Sequence, residues 1–190
     1  CERYKIKRPS DTRGKQFSNF AAFNEVYRAA SDSIRTKQDL ARVILEVAED
    51  AAKDGATWIE PAFDADRYTI LRADRSLRLF ETPYEGWLFA LEAARNASEK
   101  TGVGISFISA IDRTRPIEQA NERAKLTTNL ISSQKHQITA KNINGGEPYA
   151  GIIGLGLHGK EEGYPPEIFA EAFQIGTKNT ESLPITHTGE

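Results

Sequence analysis

Near the end of the sequence His187 and Glu190 bracket Thr188 and Gly189, one residue beyond the apolar run Leu183 to Ile185. A neutral imidazole at a strand end is held rigidly enough to ligate a metal. A glutamate just beyond it can serve as a general acid when burial raises its pKa toward neutrality. The same spacing also fits a hydrogen-bonded structural histidine before a turn. Spacing alone leaves both readings open.

A second group runs Gly154-Leu155-Gly156-Leu157-His158-Gly159-Lys160-Glu161-Glu162. Closely spaced glycines at a strand end let a ligand approach the backbone, and a free N–H there can donate a hydrogen bond. A tight glycine-rich turn between strand and helix reads the same way, with His158 an exposed loop residue. A third group is Phe17, Phe20 and Phe23, spaced for one face of a helix. These rings either pack on a core or form an apolar lid over a planar ligand. Asp112 and Arg113 read as an ion pair or helix-entry group, and His136 as solvated.

The elements that must position these residues follow from periodicity. Residues 1–16 are polar and basic and read as an irregular arm. A helix is expected from Phe17, with Phe17, Phe20, Ala21, Val26 and Tyr27 on one face. Thr36 with Asp39 resembles a capping box for a second helix. Its apolar stripe is Leu40, Val43, Ile44, Val47, Ala48 and Ala51, and Gly55 stops it. A short strand follows over 56–61, then a polar stretch carrying Asp64, Asp66 and Arg67. A helix over 82–101 turns Trp87, Leu88, Leu91 and Ala94 to one side. The run Val103 to Ile111 is apolar on both faces, as a buried parallel strand is. A helix over 116–135, a turn at 142–146, a strand from Tyr149 to Leu155, a helix over about 165–179 and a strand from Leu183 to His187 complete the series.

Alternation of strand and helix argues for parallel βαβ units. No glycine-rich phosphate loop follows any strand, which argues against an open doubly wound sheet. Chemically able residues stand instead at each strand's carboxyl end: Glu60, Asp112 with Arg113, His158 with Gly159, and His187 with Glu190. That distribution favours a (β/α) barrel with its functional mouth at those ends.

The chain has 190 residues, with 25 basic and 27 acidic side chains for a net charge of −2. Such balance points to neither nucleic acid nor an anionic membrane as partner. No apolar run suits a membrane-spanning helix, and no signal peptide is visible. The single cysteine, Cys1, makes no internal disulfide, so a reducing, cytoplasmic setting is the default expectation. The opening Cys-Glu-Arg-Tyr, without Met, suggests cutting or processing at the front.

In order and spacing, the run Gly151 to Gly163, the helix Pro166 to Phe173 and the box Thr186-His187-Thr188-Gly189-Glu190 resemble the central signature of the adenosine deaminase family. The phenylalanine segment, the 36–60 helix and strand, and Asp112-Arg113-x-x-Pro116 occupy matching places. The resemblance implies an α/β fold: part of a TIM barrel, about strands two to five, with an N-terminal helical insertion. Residues 1–190 would then be one incomplete barrel domain: an arm over 1–16, a helical lid region over 17–55 and βα units over 56–190.

It also implies hydrolytic deamination of adenosine or a related 6-aminopurine, with zinc (Zn2+) as cofactor and a small purine nucleoside or base as partner. His187 would be a zinc ligand and Glu190 the acid that protonates the ring. Gly159 would offer its N–H to the purine, and Phe17 and Phe20 would close over it. The sequence departs from the family at Gly156, where Asp is usual, and at His158 and Thr188, where Ala is usual. The family's first-strand His-x-His, later His and Asp pair are also absent. These residues alone are therefore expected to bind zinc poorly and to be inactive. Three alternatives stand beside this reading: a catalytically dead barrel kept for binding or regulation, a deaminase of adenine or of an aminofutalosine-like metabolite, and an unrelated parallel α/β binding module. The sequence says nothing of the oligomeric state.

Overall fold

The structure is a computed structural model and describes residues 14–69, 78–133, 143–145, 147–178 and 182–188. The expectations for residues 1–13, His136, Asn142, Gly146, Gly189 and Glu190 lie outside the described residues.

The first helix, α1 (Phe20–Ser31), starts three residues later than the phenylalanine spacing suggests. Asn19 caps it: its Oδ1 accepts the Ala22 N–H at 2.9 Å, and its own extended backbone ends the helix there. Phe17 therefore precedes the helix. Helix α2 (Lys37–Lys53) begins with the expected capping box, in which Thr36 Oγ1 accepts the Asp39 N–H and the Asp39 carboxylate accepts the Thr36 N–H. It buries Leu40, Ile44 and Ala48, whereas Val43 and Val47 stay exposed. The buried stripe is narrower than expected because α2 rests on a single helix, α3 (Pro83–Thr101).

The expected first strand is split in two. Strands β1 (Trp58–Ile59) and β2 (Ala62–Phe63) both pair in parallel with β3 (Gly104–Asp112). Pro61 stands in the gap; it has no N–H to give a ladder, yet its carbonyl still accepts the Ile108 N–H at 3.0 Å. Helix α4 (Ile117–Ser133) leads to β4 (Ala150–His158), and α5 (Ala170–Thr177) leads to β5 (Leu183–Thr186). The sheet order is β1–β3–β4–β5, with β2 also beside β3 and every pairing parallel. This α/β architecture is that of a partial barrel.

Helices α3, α4 and α5 cover one face. Trp87 is fully buried between Phe63 and Phe107, with ring centroids 5.0 and 5.9 Å away. A run of small residues on α3 (Ala90, Ala94, Ala97) brings the helix close to its neighbours. Contrary to expectation, Leu88 is exposed, because the buried side of α3 follows Trp87 and these alanines. A second cluster joins Ile111, Leu155 and Leu157 of the sheet to Ala120, Ala124 and Phe169.

Side-chain alternation identifies the opposite, inner face. Ser109 points to the helices, since its Oγ accepts from Thr127 Oγ1 at 2.7 Å. Its strand neighbours Ile108 and Ala110, and then Asp112, point inward. On β4 the partners of those three are Gly154, Gly156 and His158. Gly156 in turn pairs with Ile185 of β5. A Cβ at Gly156 would meet Ile108 Cγ2 at 2.6 Å, so glycine lets the inner face close up at this level.

Candidate active site at the carboxyl ends of the strands

Three adjacent strands end at nearly one level. Asp112 is paired in register with His158, and Leu157 with Thr186. Beyond β5 the ladder continues for one bond, the His187 N–H donating to the Leu157 carbonyl at 2.9 Å. Alternation thus brings Asp112, His158 and His187 to the inner face at the carboxyl ends of β3, β4 and β5. Asp64 follows β2 at the same end.

His158 is the final residue of β4, which runs three residues past the strand expected from sequence. It is not a loop residue: its Nε2 is buried and has no hydrogen-bond partner. The chain then turns at Gly159, whose φ of 89° favours glycine. A Cβ there would meet Asp112 Oδ1 at 3.1 Å, so glycine also permits the backbone to lie against the β3 carboxylate.

The expected Asp112–Arg113 pair does not form. Asp112 Oδ1 accepts from the Thr114 N–H at 2.9 Å and from Thr114 Oγ1 at 2.7 Å, while Oδ2 faces Arg115 Nε at 3.7 Å. Arg113 is only 2% exposed. Its Nη1 donates to the Tyr164 carbonyl at 3.2 Å and its Nη2 to the His187 carbonyl at 2.9 Å. Its backbone N–H donates to the His158 carbonyl at 3.0 Å.

The region after β2 holds groups whose importance the sequence did not signal. Burial raises the pKa of the Asp64 carboxyl; His158, Arg123 and Arg115 oppose that shift and Asp112 adds to it. Asp66 forms an ion pair with Arg123, which is 4% exposed. Burial also lowers the Arg123 pKa, partly offset by Asp64. Asp64, Asp66 and Arg123, with Asp112 and Arg115, line a cavity of about 10 Å³, room for roughly one water. The Asp64-x-Asp66 spacing was the available signal, but Arg123 arrives from α4 and nothing near it in sequence announces the pairing.

The phenylalanines gather on one another. Phe23 contacts Phe17 at 5.5 Å, Phe20 at 6.1 Å and Tyr27 at 6.2 Å between ring centroids. Phe17 and Phe20 are half-buried, and α1 contains no fully buried residue. At its far end Asp32 faces Arg67 at 3.6 Å, which ties the region to the turn just past Asp64 and Asp66.

As a metal centre the described residues are incomplete. His187 supplies an exposed imidazole at the right end of the sheet. Among the described residues, however, no three His, Cys, Asp or Glu side chains converge to hold an ion. A structural or catalytic zinc requires three or four protein ligands. His187 fits as one donor of such a set. Among the described residues no helix is long and apolar enough to cross a membrane.

Known proteins place this arrangement in context. Residues 6–190 match the family described as adenosine deaminase. An adenine deaminase of Vibrio parahaemolyticus is 30% identical over 183 residues, which cover 96% of this chain and 46% of that protein. The crystal structure of an adenine deaminase from Arthrobacter aurescens superposes with a TM-score of 0.66 at 26% identity, over 99% of this chain and 51% of that one. An amidohydrolase from Burkhoderia ambifaria, solved with bound Zn, shares the fold with a TM-score of 0.62 at 19% identity, over 90% of this chain and 44% of its own. The chain thus spans about half the length of the relatives it matches. A match over nearly every residue, on a sheet whose polar groups gather at the strand ends, makes this chain a member of the adenosine deaminase family.

Proposed function

We propose that the protein to which this chain belongs deaminates a 6-aminopurine by hydrolysis, releasing ammonia, and that these residues form one side of its active site. The observation that carries the reading is the inner-face series Asp112, His158 and His187 at three adjacent strand ends, in a chain matching the family throughout. The described elements are read as a single barrel domain, with the α1 region as its lid.

His187 is assigned as one ligand of a zinc ion, the remaining donors coming from outside the described residues. Zinc, when bound, lowers the pKa of a coordinated water to near neutrality and so supplies hydroxide for attack on the carbon bearing the amine. Glu190, beyond the described residues, is assigned as the acid that protonates the ring nitrogen and offsets the charge that develops there. Gly159 offers its backbone N–H to the purine; its turn against Asp112 keeps a side chain out of that space. Phe17 and Phe20 cover the base from the α1 side, exclude water and supply apolar contact to its face.

Between free base and nucleoside, adenine is the favoured substrate. The Vibrio and Arthrobacter relatives, 30% and 26% identical, are both adenine deaminases, while an adenosine deaminase of Clostridium acetobutylicum is 25% identical. Steady-state ammonia release from adenine, adenosine and adenosine monophosphate by the whole protein tests the assignment. Turnover of adenine with the highest kcat/KM is expected. Turnover of none of the three, in protein loaded with zinc, would favour instead a barrel kept for binding.

A further inference from the structure

Arg113 is buried near the strand ends, and among the described residues its guanidinium makes no hydrogen bond to a carboxylate. A buried cation without a close counter-charge is costly unless its donors are used. Two of its nitrogens are used on main-chain carbonyls belonging to other elements: Tyr164, 51 residues away in the turn after β4, and His187, 74 residues away at the end of β5. The Arg113 N–H adds a bond to His158 at the end of β4. One residue thus joins the ends of β3, β4 and β5 to the loop that begins at Gly159. Both guanidinium bonds are charge-assisted and come from one rigid planar fork, so they fix a relation between two carbonyls and not merely a distance to each.

We infer that Arg113 is a positioning residue that holds the Gly159–Tyr164 loop and the His187 strand end in one fixed geometry. Each segment has a backbone bond of its own, the His187 N–H to the Leu157 carbonyl and the Tyr164 N–H to the Glu161 carbonyl, but neither of these joins the loop to β5. His187 lies one residue past the end of a four-residue strand on the sheet's edge. The loop contains exposed residues and two positive-φ glycines, Gly159 and Gly163. Lysine keeps the charge at this position but offers a single flexible ammonium, which cannot reproduce the planar two-carbonyl fork. The consequence for turnover rests on the deaminase reading; the geometric clamp does not.

The test uses the whole protein with Arg113→Lys and Arg113→Ala, and with Trp87→Leu as a core-destabilised control remote from these contacts. Amide hydrogen exchange is followed at equal distance below each variant's thermal midpoint, alongside kcat and KM for adenine. In Arg113→Lys, exchange at 159–164 and 186–188 should quicken about tenfold while the helices keep their protection. Its kcat should fall about a hundredfold with little change in KM, as expected of a misplaced group. Trp87→Leu should show neither change. Unaltered exchange in both segments, or exchange that rises uniformly as in the control, would overturn the inference, and so would failure of both Arg113 variants to fold. If the wild type releases no ammonia but the exchange pattern is as expected, the deaminase reading falls and the clamp stands.

Discussion

Arg113 and His187 are 74 residues apart in sequence and one hydrogen bond apart in space, with Arg113 Nη2 donating to the His187 carbonyl at 2.9 Å. The bond crosses β4, so the residue assigned to ligate a metal is placed by a side chain from two strands away. A strand of four residues with exposed Leu183 and Pro184 has little packing of its own to hold its end. Its end is held by pairing with β4, by the His187 N–H bond to the Leu157 carbonyl and by Arg113.

The sheet's inner face depends on glycine at 156. Alanine there would push its Cβ to 2.6 Å from Ile108 Cγ2 and to 3.0 Å from the Ile185 carbonyl. Since the carbonyl is part of the β4–β5 pairing, it cannot give way cheaply. Gly156→Ala is expected to destabilise the fold by about 1–3 kcal/mol, a cost of the overpacking kind. Chemical denaturation should show it as a lowered midpoint with an unchanged slope.

Trp87 tests the outer layer in the opposite sense. It is fully buried and touches Phe63 and Phe107. Truncation to alanine removes those contacts and leaves a cavity, with an expected loss of about 3–5 kcal/mol. Thermal unfolding of Trp87→Ala measures it; a loss within experimental error would mean that α3 does not seat on the sheet as described.

Asp64 confers a pH dependence whose sign is set by burial. Its folded-state pKa is raised, so the folded protein holds that proton more tightly than the unfolded chain does. Stability should therefore fall as pH rises through the interval between the ordinary carboxylate value and the raised one. Asp64→Asn cannot titrate, so the difference in stability between variant and wild type should shift in favour of the variant across that interval. Parallel stability–pH curves for the two proteins would show that Asp64 does not titrate abnormally.

The lid assignment predicts a binding effect. Phe20→Leu keeps an apolar residue where the ring is half-buried but removes its aromatic face, so KM for adenine should rise several-fold with kcat nearly kept. Substrate titration of initial rates separates the two constants. A change in kcat alone would place the ring away from the bound base.

How much of this was legible in the sequence depends on how locally each feature is determined. The start of α2 was readable because Thr36 and Asp39 satisfy one another's backbone within a single turn. The end of α3 matches the expected residue 101, and Gly102 just past it adopts a φ of 74° that favours glycine. Strand β4 looked shorter than it is, because Gly156 and Gly159 near its end resemble a turn; pairing with β3 carries it to His158. The Arg113 clamp was illegible, since its acceptors are main-chain carbonyls, which every residue possesses. Asp64 was equally hidden: what buries its carboxyl comes from strands and a helix far along the chain. The order of the strands and the mouth-end placement of His187 could be read. The network that holds them could not.

His187 is assigned to the metal-dependent machinery of a purine deaminase. The most direct test of this assignment compares zinc content and ammonia release in the whole wild-type protein and in His187→Ala, purified side by side. The wild type should retain zinc and deaminate adenine, and the variant, still folded, should lose the metal and nearly all turnover. A His187→Ala protein that retains zinc stoichiometrically and turns over at the wild-type rate would contradict the assignment.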